Sequence, residues 1–403
     1  KQLNAPKEPH TLNTNRRGVV RLVFIFLSLH FSLLVSNPCI ATGPFPVFPC
    51  LEPNVRFWID TYTKYPTTTG IIHDALDLEI VYGFIDLLPQ EKAGALRANQ
   101  ERIRAAKDRY RNILQELAEN KDPEDAEKKR IADLFGPKAG PEAFREAIDN
   151  VRCQVGQQDR FERGLIRSGA YLRRIRAIFR SHGLPEDLCY LPHVESSFDV
   201  TAYSKAGAAG IWQFTRATGK KYLKVSKQLD ERRDPIRASE AAAKLLKHNY
   251  ERLGDWPMAV TAYNHGIAGM LRAKKEMDTY EAVFENYKGP LFRFASRNFY
   301  SEFLAARHVA KNHTQYFGDI RLTRSLEALE VVTKGQMSAA ELSLHYNVDL
   351  ETLRLFNPGL GQRVFKGQRQ VPKGYLLRLP ADSAKAIKIS SATLSQIHPD
   401  LRQ

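Results

Sequence analysis

The chain of 403 residues has only four cysteines, Cys39, Cys50, Cys153 and Cys189, and no CxxC pair. His and Cys nowhere cluster at metal-ligand spacing, which excludes a metal-held framework. No metal and no cofactor are predicted. The apolar run Leu22–Val35 has 14 residues and contains Ser28, His30 and Ser32, too short for an ordinary membrane-spanning helix. No nucleic-acid-binding motif is present, and Lys and Arg are scattered rather than clustered. The formal charge of +15 therefore reads as a solvated basic surface that favours anionic polymers, and nucleic acid is not predicted as a partner. The chain also lacks an obvious second carboxylate beside its one candidate acid.

With 43% apolar and 26% charged residues the composition is that of an ordinary globular protein, long enough for two or three domains. Arg16, Arg17 and Arg21 precede the apolar run, and Cys39-Ile40-Ala41 offers a small-residue cleavage site. Residues 1–41 thus read as a secretory signal peptide or an N-terminal anchor, with export to the periplasm or cell envelope and membrane association through the N-terminus. Cleavage after Ala41 leaves three cysteines. Cys50 with Cys153 is one pairing among those left open.

Residues 42–56 hold Pro44, Pro46, Pro49 and Pro53 and read as irregular. Phe57–Pro89 shows no clear period. From Glu91 to Glu119, Leu96, Ile103, Tyr110 and Leu117 recur every seven residues, which predicts a helix packed on the catalytic domain, ended by Asp122-Pro123. Phe161, Leu165, Leu172, Ile175 and Phe179 form an apolar stripe read as core. Pro185 opens a helix with Glu186 and Asp187 in its first turn. Asp234 caps another that stops at Gly254, and Trp256–Gly266 is a further short helix.

The chemistry concentrates in three segments. His193–Thr215, HVESSFDVTAYSKAGAAGIWQFT, sets Glu195 among Leu191, Pro192, Val194 and Phe198. A carboxyl with apolar neighbours resists ionisation, which suits a general acid near neutral pH. A Gly-rich turn then leads to Gly210-Ile211-Trp212-Gln213, and Ala262-Tyr263-Asn264 follows. In order and spacing the three segments resemble the lytic transglycosylases of the goose-lysozyme-like superfamily, nearest to the membrane-bound murein transglycosylase D type. The resemblance covers about residues 165–312.

It implies a mainly α fold, with a lysozyme-like (SLT) catalytic domain at 165–315 and a mostly helical extension at 42–164. It also implies cleavage of peptidoglycan glycan strands between N-acetylmuramic acid and N-acetylglucosamine. Glu195 is the implied acid, then base. Ser196, Ser204, Gly210, Ile211, Trp212, Gln213, Tyr263 and Asn264 are the implied substrate residues, Trp212 either at the sugar or in the wall behind it. His193 and His265 are further candidates for proton transfer, and Asp199 reads as a turn cap. Ala295 and Phe299 stand where the family segment Glu-Thr-Arg-x-Tyr-Val has Glu and Tyr, a departure that leaves this side of the site without its polar groups. A hydrolase of the lysozyme or chitinase kind and a non-catalytic glycan-binding envelope protein are the competing readings.

Beyond residue 320, Val348–Leu353, Asn357-Pro358, Gly367 and Leu379-Pro380 resemble a LysM-like glycan-binding module at 320–382, small and α+β. Gly335-Gln336-Met337 replaces its usual Gly-Asp-Thr. Residues 383–403 form a tail.

Overall fold

Proline starts the first helix instead of interrupting it. A 3₁₀ turn, Pro49–Leu51, runs into α1, Glu52–Thr63, with Pro53 in its first turn. A fixed φ and a missing N–H do no harm at a helix start, so the irregular stretch expected over 42–56 gives way to a helix at its end. The computed structural model describes residues 43–119 and 125–383. The expected signal or anchor, the Asp122-Pro123 break and the tail beyond 383 lie outside the described residues.

The extension is less helical than expected. β1 (Thr69–Asp74), β2 (Val81–Asp86) and β3 (Val151–Val155) form an antiparallel sheet of order β2-β1-β3. His73 stands opposite Arg152 in the register. Five of the six β1 residues are buried, so no alternation marks the strand in the sequence. α2 (Ala95–Ala118) packs on this sheet and on α4, not on the catalytic helices. It does so through Tyr110, Ile113, Leu114 and Leu117, while Leu96, at the head of the expected stripe, is exposed. α3 (Ala126–Asp133) and α4 (Pro141–Asn150) complete this second core with Ile131 and Phe144. Cys50, Cys153 and Cys189 are all free thiols.

The main core is helical. It comprises α5 (Gln158–Ser168), α6 (Leu172–Ser181), α7 (Leu191–Ser196), α8 (Arg216–Gly219), α9 (Pro235–Leu253), α10 (Trp256–His265), α11 (Ile267–Met277), α12 (Tyr280–Asn286), α13 (Phe294–Lys311) and α14 (His313–Phe317). Asp234 caps α9 by accepting from the backbone N–H groups of Ile236 and Arg237, both at 3.0 Å. Gly254 ends it at φ +83°, a left-handed conformation that glycine adopts without strain. The small buried face Ala238, Ala241 and Ala242 lets α6 and α10 approach α9 closely. α13 lies against both α1 and α10, and its inner end meets α7. Tyr62 of α1 stacks on Phe161 of α5, the ring centroids 4.8 Å apart.

The C-terminal part is α+β: β4 (Ala328–Val332), α15 (Ala339–Tyr346), α16 (Leu350–Phe356), α17 (Gln362–Phe365) and β5 (Leu376–Pro380), with β4 and β5 antiparallel. Ser338 and Glu341 form a capping box on α15. Asn357 bridges the two ends of this part: its amide donates to the carbonyls of Leu353 at 2.8 Å and Arg378 at 2.7 Å. Leu229 of the catalytic core contributes to its apolar cluster. A buried ion pair, Arg378 to Asp234 at 2.6 Å, joins β5 to the cap of α9.

Candidate active site

The helix expected from Pro185 is broken in two. A 3₁₀ turn, Glu186–Tyr190, precedes α7, whose first turn carries Pro192. A proline there forfeits no helical hydrogen bond, but it tightens the preceding turn. α7 stops at Ser196, one residue after Glu195, because Ser197 and Phe198 take left-handed backbones at φ +50° and +56°. Two consecutive non-glycine residues in that region are strained. The surroundings hold them: Arg167 donates to the Ser197 carbonyl at 2.6 and 3.1 Å. Gly164 lets α5 come close, since a Cβ there would sit 3.0 Å from Ser197. Asp199 accepts from the backbone N–H and hydroxyl of Thr201, the expected turn cap.

The Gly-rich turn is built on Arg232, which is fully buried. Its guanidinium donates to the carbonyls of Gly207 at 2.8 Å and Phe214 at 3.1 Å and pairs with Asp230. Ser204 closes the turn by accepting from the Ala208 N–H at 3.0 Å. Gly210 has φ +75°, and a Cβ would lie 1.9 Å from the Arg232 carbonyl oxygen; only glycine fits. Gln213, at φ +47°, is held by its amide donating to the Gly210 carbonyl at 2.8 Å.

Two hydrogen bonds assemble the segments. The Ser196 hydroxyl donates to the carbonyl of Ile211 at 3.0 Å. The Tyr263 hydroxyl donates to the carbonyl of Trp212 at 2.8 Å. Of the two places open to Trp212, the wall is the one it takes. Its ring is fully buried, with the indole N–H donating to Ser239 of α9 at 2.8 Å, so it offers no face to a sugar. Ile211 is buried as well. Asn264 lies at the exposed end of α10 and accepts from Ser296, which also bonds His265. His193 is enclosed by Phe161 and Phe198, and neither ring nitrogen has a hydrogen-bond partner. Burial lowers it to about 3, so it stays neutral and is a packing residue.

Glu195 is half-buried, and among the described residues its carboxyl has no hydrogen-bond or ion-pair partner. Desolvation raises it to about 8, and the charge of Glu302 adds to the rise. Burial, with Glu195 second, also pushes the Tyr263 hydroxyl well above its ordinary value; it remains a donor.

Glu302, on α13, is the residue that sequence reasoning misses. It too is raised to about 8, by desolvation, with Arg152 of β3 opposing. In the sequence it is one acid in an amphipathic helix, which reads as solvent-facing; its one signal is its place three and four residues after Phe299 and Asn298, both buried. Among the described residues no group of three or more His, Cys, Asp or Glu could hold a metal. No helix there is long and apolar enough to cross a membrane.

The family profile of the transglycosylase SLT domain matches residues 175–283. Membrane-bound lytic murein transglycosylase D of Escherichia coli K12 is 29% identical over 198 residues, 48% of this chain and 44% of that protein. A putative tributyltin chloride resistance protein of Alteromonas sp. (strain M-1) is 36% identical over 109 residues, 27% of this chain and 53% of that protein. The chain thus spans about half the length of the curated relatives it matches. An inactive variant of the lytic transglycosylase Slt from Pseudomonas aeruginosa aligns with 36% of this chain and 25% of its own, at 17% identity and a TM-score of 0.30. The segment that carries Glu195, Gln213 and Tyr263 is a transglycosylase SLT domain, an enzyme domain of the lytic transglycosylase kind.

Proposed function

We propose that this protein is a peptidoglycan lytic transglycosylase that cleaves the β-1,4 bond between N-acetylmuramic acid and N-acetylglucosamine without water. Glu195, protonated at neutral pH, gives its proton to the glycosidic oxygen as the C1–O bond breaks. The muramic N-acetyl group supports the positive charge that develops at C1. The Glu195 carboxylate then takes the proton of the C6 hydroxyl of the same sugar while O6 bonds to C1. The product is a 1,6-anhydro ring, and Glu195 ends protonated. The nucleophile is already attached to the substrate, so no bimolecular encounter is needed. The observation that carries this reading is the unpartnered Glu195 carboxyl, held as an acid at about 8 within an SLT domain.

In this reading Ser196 and Ser204 hold the two turns that shape the site, and Gly210 and Ile211 set the path between them. Gln213 and Asn264 offer amides to the glycan, Tyr263 braces the floor beside Glu195, and Trp212 backs it. Residues 165–315 form the catalytic domain and 42–164 its extension. Residues 320–382 form a LysM-like module that binds glycan, and residues 1–41 direct export to the envelope. A second reading, hydrolysis, draws on Glu302: a second carboxyl acting on Glu195 could activate a water as paired-carboxylate glycosidases do.

Mass spectrometry of the products from purified sacculi separates these readings. Muropeptides lighter by one water, without a reducing muramic end, support the transglycosylase. Reducing ends support the hydrolase. Retention on sacculi without cleavage leaves a binding protein.

A further inference from the structure

The last three residues of α10 point their polar groups to different places. Tyr263 turns inward and bonds the Trp212 carbonyl. Asn264 is exposed, and His265, the final residue of the helix, is half-buried. Gly266, at φ +87°, then turns the chain into α11. Ser296, buried in the first turn of α13, lies against both Asn264 and His265. Its hydroxyl oxygen is 3.1 Å from Asn264 Oδ1 and 3.1 Å from His265 Nδ1.

Proton counting sets the direction of this hydrogen-bond chain. The Ser296 hydroxyl has one proton, and it goes to Asn264 Oδ1. The contact with His265 therefore needs a proton from the ring, so Nδ1 carries it and Nε2 is the bare nitrogen. The imidazole is fixed on its other sides. It stands edge-on to Phe292, the ring centroids 5.2 Å apart and the planes at 86°. Gly269 of α11 leaves room for Nε2, where a Cβ would collide with it. With its oxygen turned in to Ser296, the Asn264 amide directs its NH₂ group outward, and that nitrogen has no partner among the described residues. Such a pole only donates, so the group it meets must be an acceptor. Ala295, beside Ser296, is exposed and brings no polar side-chain atom to this flank.

We infer that His265 and Ser296 are positioning residues for the glycan: the chain from imidazole through hydroxyl holds the Asn264 amide with its nitrogen outward, as a fixed donor to an oxygen of the bound sugar. His265 thereby supplies from α10 the polar group that Ala295 does not bring from α13, and it acts by hydrogen bonding rather than by proton transfer. An amide already locked in its binding orientation loses less freedom when the sugar arrives. The inference rests on the reading of Asn264 as a glycan-binding residue.

The test uses the full chain with Glu195→Gln, which should bind soluble oligosaccharides of alternating N-acetylglucosamine and N-acetylmuramic acid without cleaving them. Titration calorimetry gives the affinity. Asn264→Ala and Ser296→Ala, added singly, should each weaken binding about fivefold to tenfold, the scale of one hydrogen bond. Together they should cost no more than Asn264→Ala alone, because they remove the same interaction. His265→Leu should weaken binding too. His265→Asn, whose amide nitrogen falls where Nδ1 stood and which cannot carry a proton between groups, should restore it. In the ¹⁵N spectrum the neutral His265 ring, assigned by its loss in His265→Asn, should hold its proton on Nδ1. Unchanged affinity in folded Ser296→Ala, losses that multiply in the double variant, or a proton on Nε2 overturns the inference. So does a His265→Asn chain that binds no better than His265→Leu, or a Glu195→Gln chain that does not bind at all. Should Ser296→Ala not fold, the two His265 variants read the same hydrogen-bond chain. Sacculus products of the parent protein keep the two readings apart. Reducing ends with the expected affinities leave the inference standing and sink the transglycosylase reading; anhydro products with unmoved affinities sink the inference alone.

Discussion

Glu195→Gln should inactivate the enzyme and, at neutral pH, stabilise it. In the folded chain burial keeps Glu195 protonated up to about pH 8, whereas in the unfolded chain it ionises near its ordinary value of 4.5. The unfolded state therefore gains from ionisation what the folded state forgoes. Below pH 4.5 both states hold the proton and the residue brings no penalty. Between 4.5 and about 8 stability is lost progressively, and above that the loss is constant. At pH 7 the difference amounts to about 2.5 pH units at about 1.4 kcal/mol each, or about 3.5 kcal/mol. Glutamine has nearly the same shape and no charge to lose. Thermal unfolding followed by circular dichroism should place the variant several degrees above the parent at pH 7, with the two curves converging at pH 4.5. A variant less stable than the parent at pH 7, or a gain independent of pH, would refute a desolvated Glu195.

Three further outcomes are expected. Gly210→Ala puts a methyl 1.9 Å from the Arg232 carbonyl oxygen at φ +75°; the left-handed backbone alone costs about 1–2 kcal/mol, and with the clash denaturant unfolding should show a loss of about 3 kcal/mol or more. Arg378→Met leaves Asp234 buried without its cation, and calorimetry should show about 3–5 kcal/mol of destabilisation. Tyr263→Phe removes the bond to the Trp212 carbonyl, lowering stability by only about 1 kcal/mol, while muropeptide release should fall much further because the floor beside Glu195 loosens.

Much of the helical frame was legible because its signals act within a few residues. Asp234 and Gly254 bound α9 where their side-chain acceptor and backbone freedom require. Phe161, Leu165, Ile175 and Phe179 are core, as a stripe at helical spacing demands. The heptad from Leu96 was legible as a helix but not in its packing: only the half from Tyr110 onward is covered, because the sheet it covers is short. That sheet was not legible at all. β1 is buried on nearly every residue, and its partner β3 comes from beyond α4, so neither alternation nor a hairpin turn announces the pairing of Ile72 with Cys153.

The same division runs through the site. Sequence by itself marked Glu195 as the candidate acid and determined the turns that surround it, because Pro192, Gly210 and the caps act through local sterics and hydrogen bonds. Tertiary structure alone decided that Trp212 faces inward to Ser239, that His193 is sealed between rings, and that α13, which carries Glu302, packs on the helix of Glu195. Burial and Coulomb interactions depend on which distant segments meet, and spacing along the chain does not encode that.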